Sequence, residues 1–264
     1  MPDSGPYFTH RSLVPVRAAA RDTAEMVTQL LFGDCVDLLA RDRQWMQIRN
    51  RADGYLGWID EKMVLLWTEE AWERVRNWEY VFDPVLRTQW ETPHGAVPLH
   101  LSLGSRVPRI EVGDEIVFSL AGHTLRLARS AVCHYAGATA ADMVAFSARY
   151  LGAPYLWGGK SLWGIDCSGF TQICFAVGGI SIPRDASQQV RIGKEITFAE
   201  RKAGDLAFFQ NEKGRVNHVG IVLENGLIRH ASGCVHDARL TADGIIDINK
   251  QRLTHTLCSI KRIS

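Results

Sequence analysis

The 264-residue sequence has no run of 18 consecutive apolar residues, and it therefore predicts no membrane-spanning helix. It has no C-x-x-C pair, which argues against a structural zinc site, and we predict no metal and no cofactor. Its start, MPDSGPYFTHRS, lacks the apolar core of a signal peptide. We expect either a cytoplasmic protein or an envelope or periplasmic protein from which a leader was removed.

The chain also lacks an excess of charge of either sign. Its net charge is +1, from 30 basic and 29 acidic side chains, which argues against nucleic acid as a partner. The six cysteines show no spacing typical of a disulfide framework, and we expect reduced, mostly buried thiols. Hydrophobic residues make up 46% of the chain, which is enough for globular cores.

Residues 1–66 predict a small β-barrel. The segments VPVRAAA, EMVTQLLFGDCVDLLARD, WMQIRN and GYLGWID alternate between apolar and polar residues, with Gly, Asp and Asn between them. The segments are too short and too closely spaced for crossover helices, and closing the sheet into a barrel removes its edges. Through these segments the stretch resembles the bacterial SH3-like domain.

Two further N-terminal regions follow. Residues 67–79 predict a linker helix, because Thr68 is suited to be the N-cap and acidic residues occupy the first turn. Residues 80–135 again show short β segments, including AVPLHLSLG and HTLRLA, and predict a second, divergent SH3-like barrel.

The pattern changes at residue 136, where we place the start of a third domain, residues 136–264. A helical segment ends at Gly152, and a second helix is predicted to begin at Cys167 and to end before Gly178. Strands follow in DLAFF, HVGIVL, LIRHAS and SIKRIS. Helices followed by an antiparallel sheet predict an α+β domain.

Cys167 is the first candidate for chemistry. At a helix N-terminus, free backbone N–H groups and the helix dipole stabilise a negative charge such as a thiolate. A free thiol is mostly protonated at neutral pH, so a nucleophile needs this help together with a base. The alternative interpretation is a small buried residue at a helix start.

Two histidines could supply the base and its partner. His218 opens one predicted strand and His230 closes the next, with Glu224-Asn225-Gly226 between the strands. A two-residue loop would place the histidines on opposite faces of the sheet. We predict a three-residue loop, 224–226, which pairs Leu223 with Leu227 and His230 with Gly220. The two histidines then share a face, with His218 as base and His230 orienting it.

Six ordered motifs in residues 138–264 resemble the NlpC-type cell-wall peptidase domain, which has a papain-like cysteine peptidase fold. They are YLGAPYLWGG, DCSGF, IPRDASQQ, AGDLAFF, NHVGIVL and IRHAS. The resemblance implies hydrolysis of peptidoglycan stem peptides next to D-glutamate. It also implies that Cys167 is the nucleophile, His218 the base and His230 the third polar residue, in agreement with the assignment from the residues themselves.

The combination with SH3-like domains resembles the branch of γ-D-glutamyl-L-diamino-acid endopeptidases, of dipeptidyl peptidase VI type. This implies cleavage between D-Glu and either lysine or diaminopimelate in peptides with a free N-terminal L-Ala, as in cell-wall recycling. A free ammonium group requires a carboxylate and hydrogen-bond acceptors. We predict Asp185 for this role, with Glu25 and Tyr55 of the first barrel closing the site; the alternative for Asp185 is a solvated loop residue.

Five more residues are predicted to contact substrate. Tyr155 and Trp157 could form an apolar wall with polar groups, although Trp157 also suits core packing. Asp166 and Ser168 flank the nucleophile and could contact the D-Glu carboxylate or backbone. Arg184 offers a bidentate partner for a carboxylate, or equally a clamp for its own loop.

Two other functions remain open from sequence. A protein with a decayed peptidase domain could bind wall peptides without cleaving them, although Cys167, His218 and His230 are all present. A lipid acyltransferase or a wall amidase could use the same nucleophile. The acyltransferase should carry a long apolar groove or a membrane-facing segment, and the sequence shows neither, whereas an amidase differs only in its pocket.

Overall fold

The computed structural model describes residues 5–75, 78–108, 111–112, 114–133, 139–247 and 251–263. The chain divides into two compact units, Met1–His134 and Tyr135–Ser264. The predicted domain start at residue 136 lies outside the described residues and next to this division. No helix in the described ranges is both long enough and apolar enough to cross a membrane.

Seven strands among residues 5–75 form one antiparallel sheet, in the order β3-β2-β6-β5-β4-β1-β7. Every one of these strands contributes to a single buried core, so the sheet curls around it. This agrees with the barrel predicted for residues 1–66. The strands are β1 Tyr7–Thr9, β2 Leu13–Arg17, β3 Met26–Leu31, β4 Cys35–Asp42, β5 Trp45–Asn50, β6 Leu56–Asp60 and β7 Val64–Leu66.

The rest of the first unit contains a short helix and two smaller sheets. The helix, α1, spans Glu69–Arg74 and is shorter than the predicted linker helix over residues 67–79. The sheets have the strand orders β11-β8-β15 and β10-β9-β14-β13-β12. The strands are β8 Trp78–Val81, β9 Val85–Thr92, β10 Gly95–Ser102, β11 Arg106–Pro108, β12 Glu111–Val112, β13 Glu115–Leu120, β14 His123–Ala128 and β15 Val132–Cys133.

The two β-rich parts of this unit share an aromatic core. The ring centroids of Phe8 and Phe118 lie 5.0 Å apart, and those of Phe32 and Trp90 lie 5.5 Å apart in a T-shaped pair. The sequence predicts two barrels in this region, and large aromatic side chains on both parts bury each other. The two parts therefore form one unit.

The second unit begins with helices and ends with a sheet. The helices are α2 Ala140–Ser147, α3 Cys167–Val177 and α4 Ala186–Gln189. The strands are β16 Lys160–Ser161, β17 Gly164–Ile165, β18 Lys194–Glu195, β19 Leu206–Gln210, β20 Val216–Val222, β21 Leu227–Ser232, β22 Cys234–Leu240, β23 Gly244–Asp247 and β24 Arg252–Arg262.

Strand β24 closes the main sheet, because it pairs with both β19 and β23. Among the described residues, β19 to β24 thus form an antiparallel ring of six strands. Toward one end, the inner face carries apolar side chains such as Val222, Ile228 and Ile245. The same face carries His230 and His236, which are opposite each other in the β21–β22 register. The ring is therefore apolar toward one end and rich in histidine toward the other.

The outer face of the ring is covered by α2 and α3. Side chains alternate along β21, so Arg229 points away from the inner face that carries Ile228 and His230. Arg229 donates to Ser147 Oγ of α2 at 2.9 Å. Helix α3 buries an apolar stripe that includes Phe170, Ile173 and Cys174, and it ends at Val177, before Gly178 as predicted. Its burial fixes where its N-terminus lies relative to the strands.

The β20–β21 connection has the predicted length. Residues Glu224–Gly226 form a single turn, and the Leu223 N–H donates to the Leu227 carbonyl at 2.9 Å. Ile221 and Arg229 are partners, so continuing this register places Gly220 opposite His230. An added Cβ on Gly220 would lie 2.9 Å from His230 Cβ, which confirms that Gly220 makes room for this histidine.

We predict that Gly220→Ala lowers the free energy of unfolding by roughly 1–3 kcal/mol, because the new methyl group overpacks the hairpin. The methyl would meet Ile228 Cδ1 at 2.8 Å and the Arg229 carbonyl oxygen at 2.9 Å. Urea unfolding measures the effect. The control is Gly214→Asn, at an open turn with φ +70° where an added Cβ would meet nothing within 4 Å. Equal stability of the two variants would contradict the prediction.

Candidate active site

Cys167 occupies the first position of α3, as predicted, and only 7% of its surface is exposed. Asp166 is the N-cap, and its Oδ1 accepts from the Gly169 N–H at 2.7 Å. Hydrogen bonds from the backbone of Val219 and Ser168 favour the thiolate. Since Val219 directly follows His218, the helix start lies against the strand that carries the predicted base.

The two predicted histidines are brought together. His218 Nε2 and His230 Nδ1 lie 2.8 Å apart, with the ring planes nearly perpendicular at 83°. Both side chains are buried, at 6% and 2% exposure. With Nε2 engaged, Nδ1 is the nitrogen of His218 that is left to receive a proton. The geometry therefore permits the base and orienting roles predicted for the pair.

Burial favours the neutral forms of Cys167 and His218. Burial, followed by the charge of Asp166, raises the pKa of Cys167 to about 12. Burial and the neighbouring His230 hold the pKa of His218 well below its usual value. In the predicted roles, a neutral thiol would pass its proton to a neutral His218 as the sulfur attacks.

Two further histidines border the pair, and sequence reasoning assigned them no role. His255 stacks on His218 with ring centroids 4.2 Å apart and planes 28° apart. His236 lies 4.6 Å from His230 between ring centroids. The alternation of the strands could have placed His236 on the face of His230, but the closure of the ring by β24 was needed to bring in His255.

Asp166 and Arg184 form a buried ion pair under the start of α3. Arg184 donates to Asp166 Oδ2 at 2.6 Å and to Oδ1 at 2.9 Å, and its side chain is 1% exposed. Arg184 also donates to Ser168 Oγ at 2.9 Å. Arg184 is thus bound to the start of α3, a contact that differs from both interpretations left open by the sequence, the clamp of its own loop and the partner of a substrate carboxylate. Substrate contacts by Asp166 and Ser168 remain predictions, and each already has internal partners.

The segment before the nucleophile is bound to β22. Tyr155 N–H donates to the Gly233 carbonyl at 2.8 Å, and Val235 N–H donates to the Ala153 carbonyl at 2.8 Å. Partial burial, followed by the charges of Cys167 and Asp166, raises the pKa of Tyr155 to about 12.

Exposed aromatic side chains occupy the same segment. Trp157 is 62% exposed and Tyr155 is 36% exposed. The core-packing alternative for Trp157 is therefore wrong, and an apolar wall made by these two residues is available to a ligand. Contact with substrate stays a prediction for both.

The three predicted ammonium-binding residues lie in different elements. Asp185 is the half-buried N-cap of α4 and follows Arg184. Glu25 is exposed just before β3, and Tyr55 is half-buried between β5 and β6. Glu25 and Tyr55 belong to the first unit and Asp185 to the second. Their shared role stays a prediction. Within the described residues, no three His, Cys, Asp or Glu side chains are arranged to hold a metal ion.

Comparisons with known proteins agree with this architecture. The NlpC/P60 family profile matches residues 152–256, and a bacterial dipeptidyl-peptidase SH3 domain profile matches residues 16–63. A gamma-D-glutamyl-L-lysine dipeptidyl-peptidase of Bacillus subtilis is 32% identical over 77% of this chain and 71% of its own. A Bacillus cereus protein of the same name is 28% identical over 78% of this chain and 67% of its own. The chain belongs to the NlpC/P60 family.

The fold agrees with this membership. The crystal structure of an NlpC/P60 family protein from Bacillus cereus superposes with a TM-score of 0.82 at 22% identity, covering 98% of this chain and 99% of that one. This NlpC/P60 protein is a cysteine peptidase with a papain-like domain and an SH3-like N-terminal region. The second SH3-like barrel, residues 80–135, lies beyond the matched SH3 range and stays a prediction.

We predict that Arg184→Met destabilises this NlpC/P60 peptidase by about 3–5 kcal/mol, because it leaves the Asp166 carboxylate buried without its cation. Chemical denaturation measures the effect, and Arg191→Met at an exposed position is the matched control. Adding Asp166→Asn to Arg184→Met should recover part of the loss. An Arg184→Met protein as stable as the control would refute the buried-pair interpretation.

We also predict that the stability of the peptidase falls as the pH drops below about 6.5. Burial, then His236 and His255, lowers the pKa of His230 from 6.5 to about 3. Between pH 6.5 and about pH 3, His230 is protonated in the unfolded chain and neutral in the folded chain. In this range the free energy of unfolding falls by up to ~1.4 kcal/mol per pH unit for each such histidine as the pH drops. Above pH 6.5 His230 is neutral in both states and does not change the stability.

Urea unfolding between pH 4.5 and pH 7.5 measures this slope. His230→Asn should reduce it, because the amide takes up no proton, whereas His94→Asn at an exposed position should leave it unchanged. Equal slopes in the wild type and His230→Asn would contradict the prediction.

Proposed function

We propose that this peptidase hydrolyses the γ-D-glutamyl–diamino acid bond of peptidoglycan stem peptides with a free N-terminal L-Ala, releasing L-Ala-D-Glu. The observation that carries the proposal is the 2.8 Å hydrogen bond between His218 and His230, on the strand pair against which Cys167 lies. The names of the two Bacillus relatives, gamma-D-glutamyl-L-lysine dipeptidyl-peptidase, support this bond as the target. Trimming of freed wall peptides for recycling fits this specificity.

The proposed reaction proceeds through a thioester. Cys167 Sγ attacks the γ-carbonyl carbon of D-Glu while its proton moves to His218 Nδ1. The oxyanion forms at the N-terminus of α3, where the helix dipole favours negative charge. His218 then protonates the leaving amine as the C–N bond breaks. A water molecule, activated by His218, attacks the thioester carbonyl and releases the carboxylic acid, and the proton returns to Cys167.

The proposed requirement for a free amine rests on Asp185. Its neighbour Arg184 is hydrogen-bonded to Asp166, which is adjacent to Cys167. The chain connection therefore holds the Asp185 carboxylate in the same part of the second unit as the nucleophile. Glu25 and Tyr55 are proposed as the partners supplied by the SH3-like region. A charged hydrogen bond to an ammonium group contributes roughly 1.5–3 kcal/mol.

The proposal predicts cleavage of L-Ala-γ-D-Glu-meso-diaminopimelate or its L-Lys counterpart, and much slower cleavage of the N-acetylated peptides. Loss of a charged contact of ~1.5–3 kcal/mol slows cleavage by roughly 10- to 150-fold. Mass spectrometry of the released L-Ala-D-Glu measures the rates. Cys167→Ala should abolish cleavage, whereas Cys258→Ala, at an exposed thiol, should leave it unchanged.

Asp185→Asn tests the amine partner directly. It should slow cleavage of the free peptide and leave the slow cleavage of the acetylated peptide unaffected, because the acetylated peptide has no ammonium group to lose. Equal rates for free and acetylated peptides would reject the amine pocket and indicate a general wall hydrolase. Tight binding of the peptides without any cleavage would instead favour a wall-peptide binding protein.

A further inference from the structure

One nitrogen of the histidine pair has no partner in the described part of the chain. His230 Nε2 is buried without a hydrogen bond, and the side chain is 2% exposed. A buried polar atom without a partner costs about 1–3 kcal/mol, so its neighbourhood requires an explanation. The other ring nitrogen, Nδ1, is occupied by His218.

The proton on this nitrogen decides whether His218 can act as a base. For His218 Nδ1 to accept the thiol proton, Nδ1 must be free, so the ring proton must be on Nε2 and donate to His230 Nδ1. The proton of His230 is then on its own Nε2. In the reverse arrangement His230 donates from Nδ1, and His218 already carries its proton on Nδ1. An acceptor near His230 Nε2 selects the active arrangement.

His236 is the neighbour suited to be that acceptor. It is directly opposite His230 in the β21–β22 register, with ring centroids 4.6 Å apart and planes at 52°. Its Nδ1 lies 3.0 Å from the Cys234 carbonyl oxygen. A carbonyl only accepts, so Nδ1 is the donor and, in the neutral ring, Nε2 carries the lone pair.

The surroundings allow the small adjustment that a hydrogen bond requires. His236 is half-buried, and with His230 and His255 it lines a cavity of about 500 Å³. Ser232 and Thr254 also line this cavity, so a bridging water would find polar partners there. The His236 ring can therefore turn toward His230 or reach it through one water.

The other polar neighbours are less suited to this role. His255 stacks face to face on His218 and its Nδ1 lies 2.9 Å from Thr254 Oγ1, while its ring is 5.6 Å from that of His230. Asp237 is held by Arg229 through two hydrogen bonds of 2.7 and 2.8 Å.

We propose that His236 is a positioning residue that accepts the Nε2–H of His230, directly or through one water, and so fixes the tautomers of His230 and His218. The ordered chain is then Cys167, His218, His230 and His236. This inference rests on the proposed role of Cys167 and His218 as nucleophile and base, and it extends that machinery by one residue. In this role His236 acts only through His230.

The experiment compares the wild type with His236→Phe, which keeps a ring but removes the acceptor, and His236→Gln, which supplies a carbonyl oxygen. The tautomers are measured from ¹⁵N chemical shifts of the histidine rings. Wild type should show His230 protonated on Nε2 and His218 on Nε2. His236→Phe should lose this single pattern, and His236→Gln should restore it. His100→Phe, at an exposed position in the first unit, is the control.

Activity is followed in two ways that separate this inference from the proposed substrate. Alkylation of Cys167 by iodoacetamide, resolved by mass spectrometry, requires no peptide. In His236→Phe the alkylation rate and kcat on the stem peptide should both fall roughly 10- to 100-fold, because His218 carries its proton on Nδ1 more often and cannot accept another there. KM should change little, because the substrate pocket is intact. His236→Gln should recover most of both.

A wild-type His230 protonated on Nδ1 would overturn the inference, and so would equal behaviour of the Phe and Gln variants. If His236→Phe does not fold, the wild-type spectrum and the Gln variant still decide. If the tautomers and the alkylation rates behave as expected while no stem peptide is cleaved, the role of His236 is supported and only the proposed substrate fails.

Discussion

The register between β20 and β21 is the constraint on which the rest of the site depends. Side chains alternate between faces along a strand, so a connection of even length would separate His218 from His230. The turn at Glu224–Gly226 instead pairs Leu223 with Leu227 and leaves both histidines on the inner face of the ring. Gly220 leaves space for the Cβ of His230, and the 2.8 Å contact between the two imidazoles is consistent with this backbone pairing.

At the start of α3, the charged side chains Asp166 and Arg184 are distinct from the groups predicted to react, Cys167 and His218. The buried Asp166–Arg184 ion pair also engages Gly158 N–H, Gly169 N–H and Ser168, so it ties the N-terminus of the helix to the loop before it. Burial raises the pKa of Cys167 and lowers that of His218, so it favours the neutral forms of the predicted nucleophile and base. The ion pair thus fixes the position of Cys167, the predicted nucleophile, and the neighbouring imidazoles carry no charge of their own in their neutral forms. Such an arrangement limits the charge that must be buried before substrate arrives.

Much of this arrangement could be predicted because it depends on local rules. The apolar periodicity placed the start of α3 at Cys167, and the three-residue loop Glu224–Gly226 with strand parity placed His218 beside His230. Other features depend on contacts between distant segments. Closure of the ring through β24 brings His255 onto His218, and the aromatic contact of Phe8 with Phe118 joins the two β-rich parts of the first unit. No local pattern records either contact.

By itself the sequence determined the order of elements, the position of Cys167 at a helix start and the face shared by His218 and His230, since caps, turns and alternation act over a few residues. The tertiary structure decided which side chains are buried and which polar groups become hydrogen-bond or ion-pair partners. It showed Arg184 engaged with Asp166, Trp157 exposed, and His230 Nε2 buried next to His236. These outcomes depend on how the folded segments share limited space and hydrogen-bonding capacity, and that competition is settled only when the whole domain has packed.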